Sequence, residues 1–438
     1  MQPIYYITSL SALTFFIIKG GRGPGIIYIS TWLILLLNFS LGPLIYPTIN
    51  NIFYPSALAT IYVFLFFAGY ALGQSLLIKN VNANEFGYTC LEPKWITLLE
   101  VFGTLGVFTY FAGRLLPAFS YLASGDLAGL RSSFIENTNL LSQIGSILMG
   151  LYFFVISKFL FYTNLKIKSI PLFIFLLTPL LTAGRQHYLV LMLMLLVSFS
   201  LSSRSSIHRG PKYNLSRKSL TILLGSLTFI FFVSIFRFDL ESRLHFGDKF
   251  LMLQNYSAIA LHDDYTFLTV LPPYIFDLLI ELFYYFGAQF ARYTELYNAI
   301  EIEFLKFDFI AKFPIVDRNI SKIFSFLGLG SSYELTTQAE GYIASFTWKT
   351  SIISNLQNVG VIGTAACQLT FGIITGIAYK RLKRNRNDYP AFNLTLVSTV
   401  ILVYDVMFPL VSDTSILVYY IFSLIIFFSS RHIISVRN

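Results

Sequence analysis

The chain has 438 residues, of which 55% are hydrophobic, 17% aromatic and only 12% charged, with a mean hydropathy of +0.66. A soluble domain carries roughly 25% charge, so a soluble globular enzyme, a disordered chain and a nucleic-acid-binding domain are excluded. The formal net charge of +9 reads as loop charge that orients a membrane protein, and the two cysteines, Cys90 and Cys367, make neither a disulfide framework nor a metal motif.

A bilayer-crossing helix needs roughly 20 mostly apolar residues. In chain order, eleven runs qualify, near 3–18, 25–45, 53–78, 95–118, 143–163, 169–183, 187–203, 219–236, 352–379, 389–411 and 413–430. The first lacks a basic start and a small-residue cleavage site, so a retained span is expected. The expected fold is therefore all-α and polytopic. Transmembrane helices 1–8 fall in 1–236, a large helical external loop in 237–351, and helices 9–11 in 352–438.

Lysine and arginine collect in loops that stay cytoplasmic. Eleven crossings place Lys19/Arg22, Lys79/Lys94, Lys166/Lys168, the run from Arg204 to Lys218, the run from Lys380 to Arg386, and Arg431/Arg437 on one side. That side holds 18 Lys and Arg but only Glu85, Glu92 and Asp388. The N-terminus then faces out and the C-terminus in. Charges inside the spans are few: Glu100, Lys158 and Asp405.

Two external segments result, 120–143 and 237–351. The second is far longer than an ordinary connection and too apolar for a plain aqueous loop, since 271–286 reads LPPYIFDLLIELFYYF. Helices lying on or dipping into the outer leaflet are expected. Within it, Asp277, Glu281, Tyr284, Ala288 and Arg292 recur at steps of four, three, four and four and share one helix face. That face is either a solvated stripe on a packing helix or the lining of a cavity.

Arg185 is the most informative residue. It sits in Leu-Thr-Ala-Gly-Arg-Gln-His between two apolar runs, and the run before it is short. At ~1.5 Å per residue, 169–183 reaches ~22 Å, less than the ~30 Å hydrocarbon core. A charge there costs at least a few kcal/mol unless paired or hydrated, which makes it a functional candidate. Its bland alternative is an arginine that snorkels or pairs and only pins the turn. Arg131, Arg237, Arg243 and Arg292 lie in similar external settings, and Arg114 reads as an interfacial anchor. Guanidinium forks suit a membrane-embedded phosphate because they bind its oxygens bidentately. Tyrosines interleave with these charges, as an interfacial belt or as platforms for sugar rings. Small residues at Gly360, Gly363, Gly372 and Gly376 suit close helix packing.

This layout, with Thr182-Ala183-Gly184-Arg185 opening an apolar helix and Asn358-Val359-Gly360-Val361-Ile362-Gly363 followed by Gly372, Gly376 and a basic loop, resembles the Wzy-type O-antigen and oligosaccharide repeat-unit polymerases. The resemblance implies a GT-C-like glycosyltransferase of the bacterial inner membrane, with its active site facing the periplasm. It implies undecaprenyl-diphosphate-linked oligosaccharides and membrane lipid as partners, with a chain-length regulator protein as a further one. It implies no nucleic acid, no cofactor and no metal. In that reading Arg185 and Arg131 hold the diphosphate, with Arg237, Arg243 and Arg292 as second choices. Glu340, then His245, is the candidate base, and Tyr284, Tyr285 and Tyr293 are candidate sugar platforms. The alternatives are an O-antigen ligase-like enzyme and, from a different class, a lipid-linked oligosaccharide flippase or transporter.

Overall fold

The structure is a computed structural model, and it describes residues 23–47, 49, 52–76, 94–124, 140–162, 169–181, 186–202, 248–299, 304, 351–385, 388–407 and 414–435. The expected spans near 3–18 and 219–236 lie outside the described residues. The rest is nearly all helix. The elements are α1 Pro24–Leu41, β1 Leu44–Ile45, α2 Phe53–Ser75, α3 Lys94–Ser124, α4 Leu140–Met149, α5 Tyr152–Phe161, α6 Ser169–Leu181 and α7 Gln186–Ser202. They continue as α8 Asp248–Ser257, β2 Ala260–Leu261, a 3₁₀ helix Asp263–Val270, α9 Pro273–Ala299, α10 Ser351–Arg384, α11 Tyr389–Met407 and α12 Thr414–Ser435.

Among the described residues, five stretches are long and apolar enough to cross a membrane: Pro24–Leu41, Phe53–Ser75, Ile96–Leu115, Leu140–Phe161 and Val359–Arg384. Shorter apolar helices lie at Leu189–Ser198, Tyr389–Tyr404 and Thr414–Ser430. The chain is a membrane-embedded helical protein. Leu140–Phe161 stays one rod across its interruption because the Gly150 and Leu151 amides bond three residues back, to Ile147 and Leu148, which tightens the turn without ending it.

The chain divides into two compact units. One comprises Met1–Gln74, Leu244–Gly376 and Leu402–Ser412; the other Ser75–Arg243, Ile377–Ile401 and Asp413–Asn438. The described residues 248–299 fall in the same unit as α1 and α2.

In the first unit α2 and α10 touch backbone to backbone. A methyl on Gly69 or Gly73 would overlap the carbonyls of Leu369 and Ile373, and one on Gly372 or Gly376 those of Phe66 and Tyr70. Two small-xxx-small faces meet, which lets helices associate by van der Waals contact where no hydrophobic effect drives them. The register rises together along both helices, so they run parallel. Above this seam α10 is broken at Gly360, whose φ of 71° lies in the left-handed region that glycine tolerates. The break is fastened by hydrogen bonds. Tyr62 donates to the Val361 carbonyl (3.2 Å), Thr364 to the Gly360 carbonyl (2.7 Å), and the Ile362 amide to the Phe304 carbonyl (3.1 Å).

In the second unit α3 packs against α4 and α5 in the antiparallel sense, Gly103 facing Leu151 and Tyr152, Gly106 facing Leu148 and Met149, and Gly145 facing Tyr110. α12 runs parallel to α5, with Gly150 on Ser415 and the Phe153 and Phe154 rings on Tyr419. Two charge clusters inside this apolar unit are paired. Glu100 and Lys158, two of the three in-span charges, form an ion pair at 2.9 Å. Arg381 is bonded to Asp388, to Ser430 Oγ (3.0 Å) and to the Phe427 carbonyl (3.3 Å), and Asp388 also caps the start of α11 through the Ala391 amide. The Asp405 side chain lies outside the described residues.

Candidate functional site

Residues 260–262 pair with the chain just after α1. Leu44 faces Leu261 and Ile45 faces Ala260 in an antiparallel two-stranded ribbon. The His262 amide extends it by bonding the Pro43 carbonyl at 2.8 Å. A core of Leu44, Tyr46, Leu253, Ile259, Leu268, Phe276 and Ile280 then fixes α8, the 3₁₀ helix and α9 around that ribbon.

α9 forms as the spacing predicts, but its polar stripe does not face water. Asp277, Glu281, Tyr284, Ala288 and Arg292 are all buried. The solvated-stripe alternative is therefore wrong, and the reason is tertiary: α9 packs along α1 and β1. Asn38 and Tyr46 come from those elements to the polar side of the helix. At Gly287 a side chain would run into the Tyr46 hydroxyl, with Asn38 Oδ1 close by. Gln289, elsewhere on α9, is also buried.

Burial governs the electrostatics. It lowers the Arg292 guanidinium from its ordinary value to about 10, against the Tyr284 phenol and the Glu295 carboxylate, which raise it. Burial likewise pushes the Tyr46 phenol well above its ordinary value, with Tyr284 adding to the rise. The Tyr46 hydroxyl has no hydrogen-bond partner among the described residues. Sequence reasoning missed Tyr46, because it follows α1 in a short irregular stretch where no periodicity marks it.

Two of the three proposed sugar platforms, Tyr284 and Tyr293, are enclosed. Tyr293 is 0% exposed, and its hydroxyl donates to the Pro55 carbonyl at 2.9 Å, so it ties α9 to the start of α2. Tyr284 is part of the external core. Neither offers a free ring face to a sugar in this arrangement. Tyr285 lies in α9, and its side chain is outside the described residues, as are Glu340, His245, Arg185, Arg131, Arg237 and Arg243 altogether. The helices on either side of Arg185 are described: α6 ends at Leu181 and α7 begins at Gln186. Arg114, on α3, rests its guanidinium 5.5 Å from the Tyr110 ring centre.

A small crevice opens between α1 and α2 beneath Phe290, lined also by Trp32, Leu36, Ala59 and Val63. Its two hydroxyls, Ser56 and Thr60, turn back onto the Ile52 and Ser56 carbonyls. It holds no titratable group and is not a site of acid–base chemistry. Among the described residues no three His, Cys, Asp or Glu side chains come together to hold a metal. No protein-family model, no curated protein and no solved structure matches this chain.

Proposed function

We propose that this chain is an O-antigen polymerase, a membrane-embedded glycosyltransferase working at the periplasmic side of the bacterial inner membrane. It transfers a growing glycan from undecaprenyl diphosphate to the non-reducing end of a new undecaprenyl-diphosphate-linked repeat unit. The observation that carries the reading is the short apolar run before Arg185: the 15 residues 169–183 at ~1.5 Å each reach ~22 Å, short of the ~30 Å hydrocarbon core. In this reading Arg185, two residues beyond the run, lies below the membrane surface, where a lipid diphosphate sits.

The chemistry follows from what breaks. The bond between the glycan's reducing-end carbon and the diphosphate oxygen cleaves, and negative charge grows on the departing lipid diphosphate. Arg185 and Arg131 stabilise that charge with preorganised bidentate hydrogen bonds. The acceptor hydroxyl loses its proton to Glu340, with His245 as second choice, and bonds to the freed carbon. Arg237, Arg243 and Arg292 are reserve anion ligands. Arg292 is the weakest of these, because Asp277 and Glu281 share its buried stripe.

Eleven spans with the N-terminus outside belong to the same proposal. The packing senses agree with the parity of the spans: three and nine should be parallel, four and five antiparallel, and five and eleven parallel, and the contacts of α2 with α10, α3 with α4, and α5 with α12 have those senses. The choice of the outer side rests on the loop charges.

Deleting the gene in its own cell and sizing the surface glycan tests the reading. Single repeat units in place of long chains are expected. Undecorated lipid A core would instead indicate a ligase, and failure of any repeat unit to reach the outer face would indicate a flippase.

A further inference from the structure

We infer that the 3₁₀ helix Asp263–Val270 is a lipid-contacting element, which lays Phe267 and Val270 into the bilayer interface beside the end of α1. In a 3₁₀ helix residues i and i+3 eclipse, so eight residues make three columns. Each column here has its own character. Tyr265 and Leu268 form the first and turn inward, Leu268 into the external core and Tyr265 packed against it. Asp263, Thr266 and Thr269 form the second, exposed and polar. Its hydroxyls bond within the helix, Thr266 to the Asp263 carbonyl (3.1 Å) and Thr269 to the Thr266 carbonyl (2.7 Å). The third column is Asp264, Phe267 and Val270, and it is open: Phe267 is 62% and Val270 86% exposed.

A largely exposed Phe and Val on a short helix is costly in water, and the surroundings say what covers them. The start of the helix is fixed to the end of a membrane-length span. The Tyr265 hydroxyl donates to the Leu41 carbonyl, the last residue of α1, at 2.6 Å, and the β1–β2 ribbon joins the same two segments. Val270 is five residues beyond Tyr265, so its backbone lies within ~10 Å of the Tyr265 backbone at ~2 Å per residue. An interfacial helix buries its apolar side ~5–10 Å into the headgroup and acyl boundary, which is the same range. Leu41 and Ile45, in the segment to which the helix is tied, are themselves exposed. Asp264, at the head of the column, sits 3.4 Å from the His262 ring, at headgroup level. One column faces protein, one water and one lipid.

The test needs no knowledge of the reaction and stands whether or not the chain is a polymerase. Cys90 and Cys367 are replaced, single cysteines are placed at 266, 267, 269 and 270, and each is labelled with an environment-sensitive fluorophore. The protein is reconstituted in phosphatidylethanolamine/phosphatidylglycerol vesicles. Labels at Phe267→Cys and Val270→Cys should be quenched by nitroxide-bearing lipid and several-fold less by aqueous iodide than labels at Thr266→Cys and Thr269→Cys. Equal iodide quenching at all four positions would overturn the proposal, because the column then faces water. Protection of 267 and 270 from both quenchers would overturn it too, because protein then covers them.

Discussion

Tyr46 and Gly287 show how a single contact orders the external segment. The phenol fills the space that a side chain at 287 would occupy. Gly287→Ala should therefore destabilise the first unit by ~1–3 kcal/mol, the usual cost of overpacking, and Tyr46→Phe should restore part of the loss by withdrawing the colliding oxygen. Unfolding of the three variants in detergent checks this. The same phenol carries a pH signature. Burial raises its folded pKa, while in the unfolded chain a phenol ionises near ~10. Its contribution is thus complete below ~pH 10 and is lost as pH rises through the folded value. Wild-type stability should fall more steeply above ~pH 10 than that of Tyr46→Phe. Parallel curves would show that the phenol titrates as if exposed.

At the scale of elements, two devices hold the helices. The α2–α10 seam depends on four glycines, and Gly372→Ala places a methyl against the Phe66 carbonyl. The helices must separate, at a cost of ~1–3 kcal/mol. A cysteine pair across the seam should then cross-link more slowly in the variant than in the parent; an unchanged rate would mean the backbones do not touch. The Arg381–Asp388 clasp is the second device. Asp388→Ala leaves a buried guanidinium without its counter-charge, which costs ~3–5 kcal/mol for an isolated pair. The lower end is expected, since Ser430 and the Phe427 carbonyl still accept from Arg381. Thermal unfolding of Asp388→Ala against wild type measures it.

Across the whole molecule, what was legible in the sequence follows from what periodicity and run length encode. Hydropathy gave the described spans within a few residues, because length against bilayer thickness is a local property. The α9 face was legible as a face, but its direction was not. Spacing says which residues share a side, and only the distant Asn38 and Tyr46 decide that the side points inward. Gly372 and Gly376 were legible as a packing face, while their partners Gly69 and Gly73 required the fold. Glu100 and Lys158 looked like isolated charges because their pairing depends on the antiparallel register of α3 and α5. Of the candidate site, the stripe bearing Arg292 was visible in the sequence, and its burial came only from tertiary packing.

The central claim is that arginine at 185 holds a lipid diphosphate while a glycan leaves it. The most direct measurement is polymer formation by the purified protein in vesicles supplied with undecaprenyl-diphosphate-linked repeat units, for wild type, Arg185→Ala and Arg185→Lys. Wild type should build long chains, Arg185→Ala none at normal protein level, and Arg185→Lys few, because a point charge lacks the guanidinium fork. Long chains from Arg185→Ala would contradict the assignment of the site, and no polymer from folded wild type supplied with its cognate repeat unit would contradict the function itself.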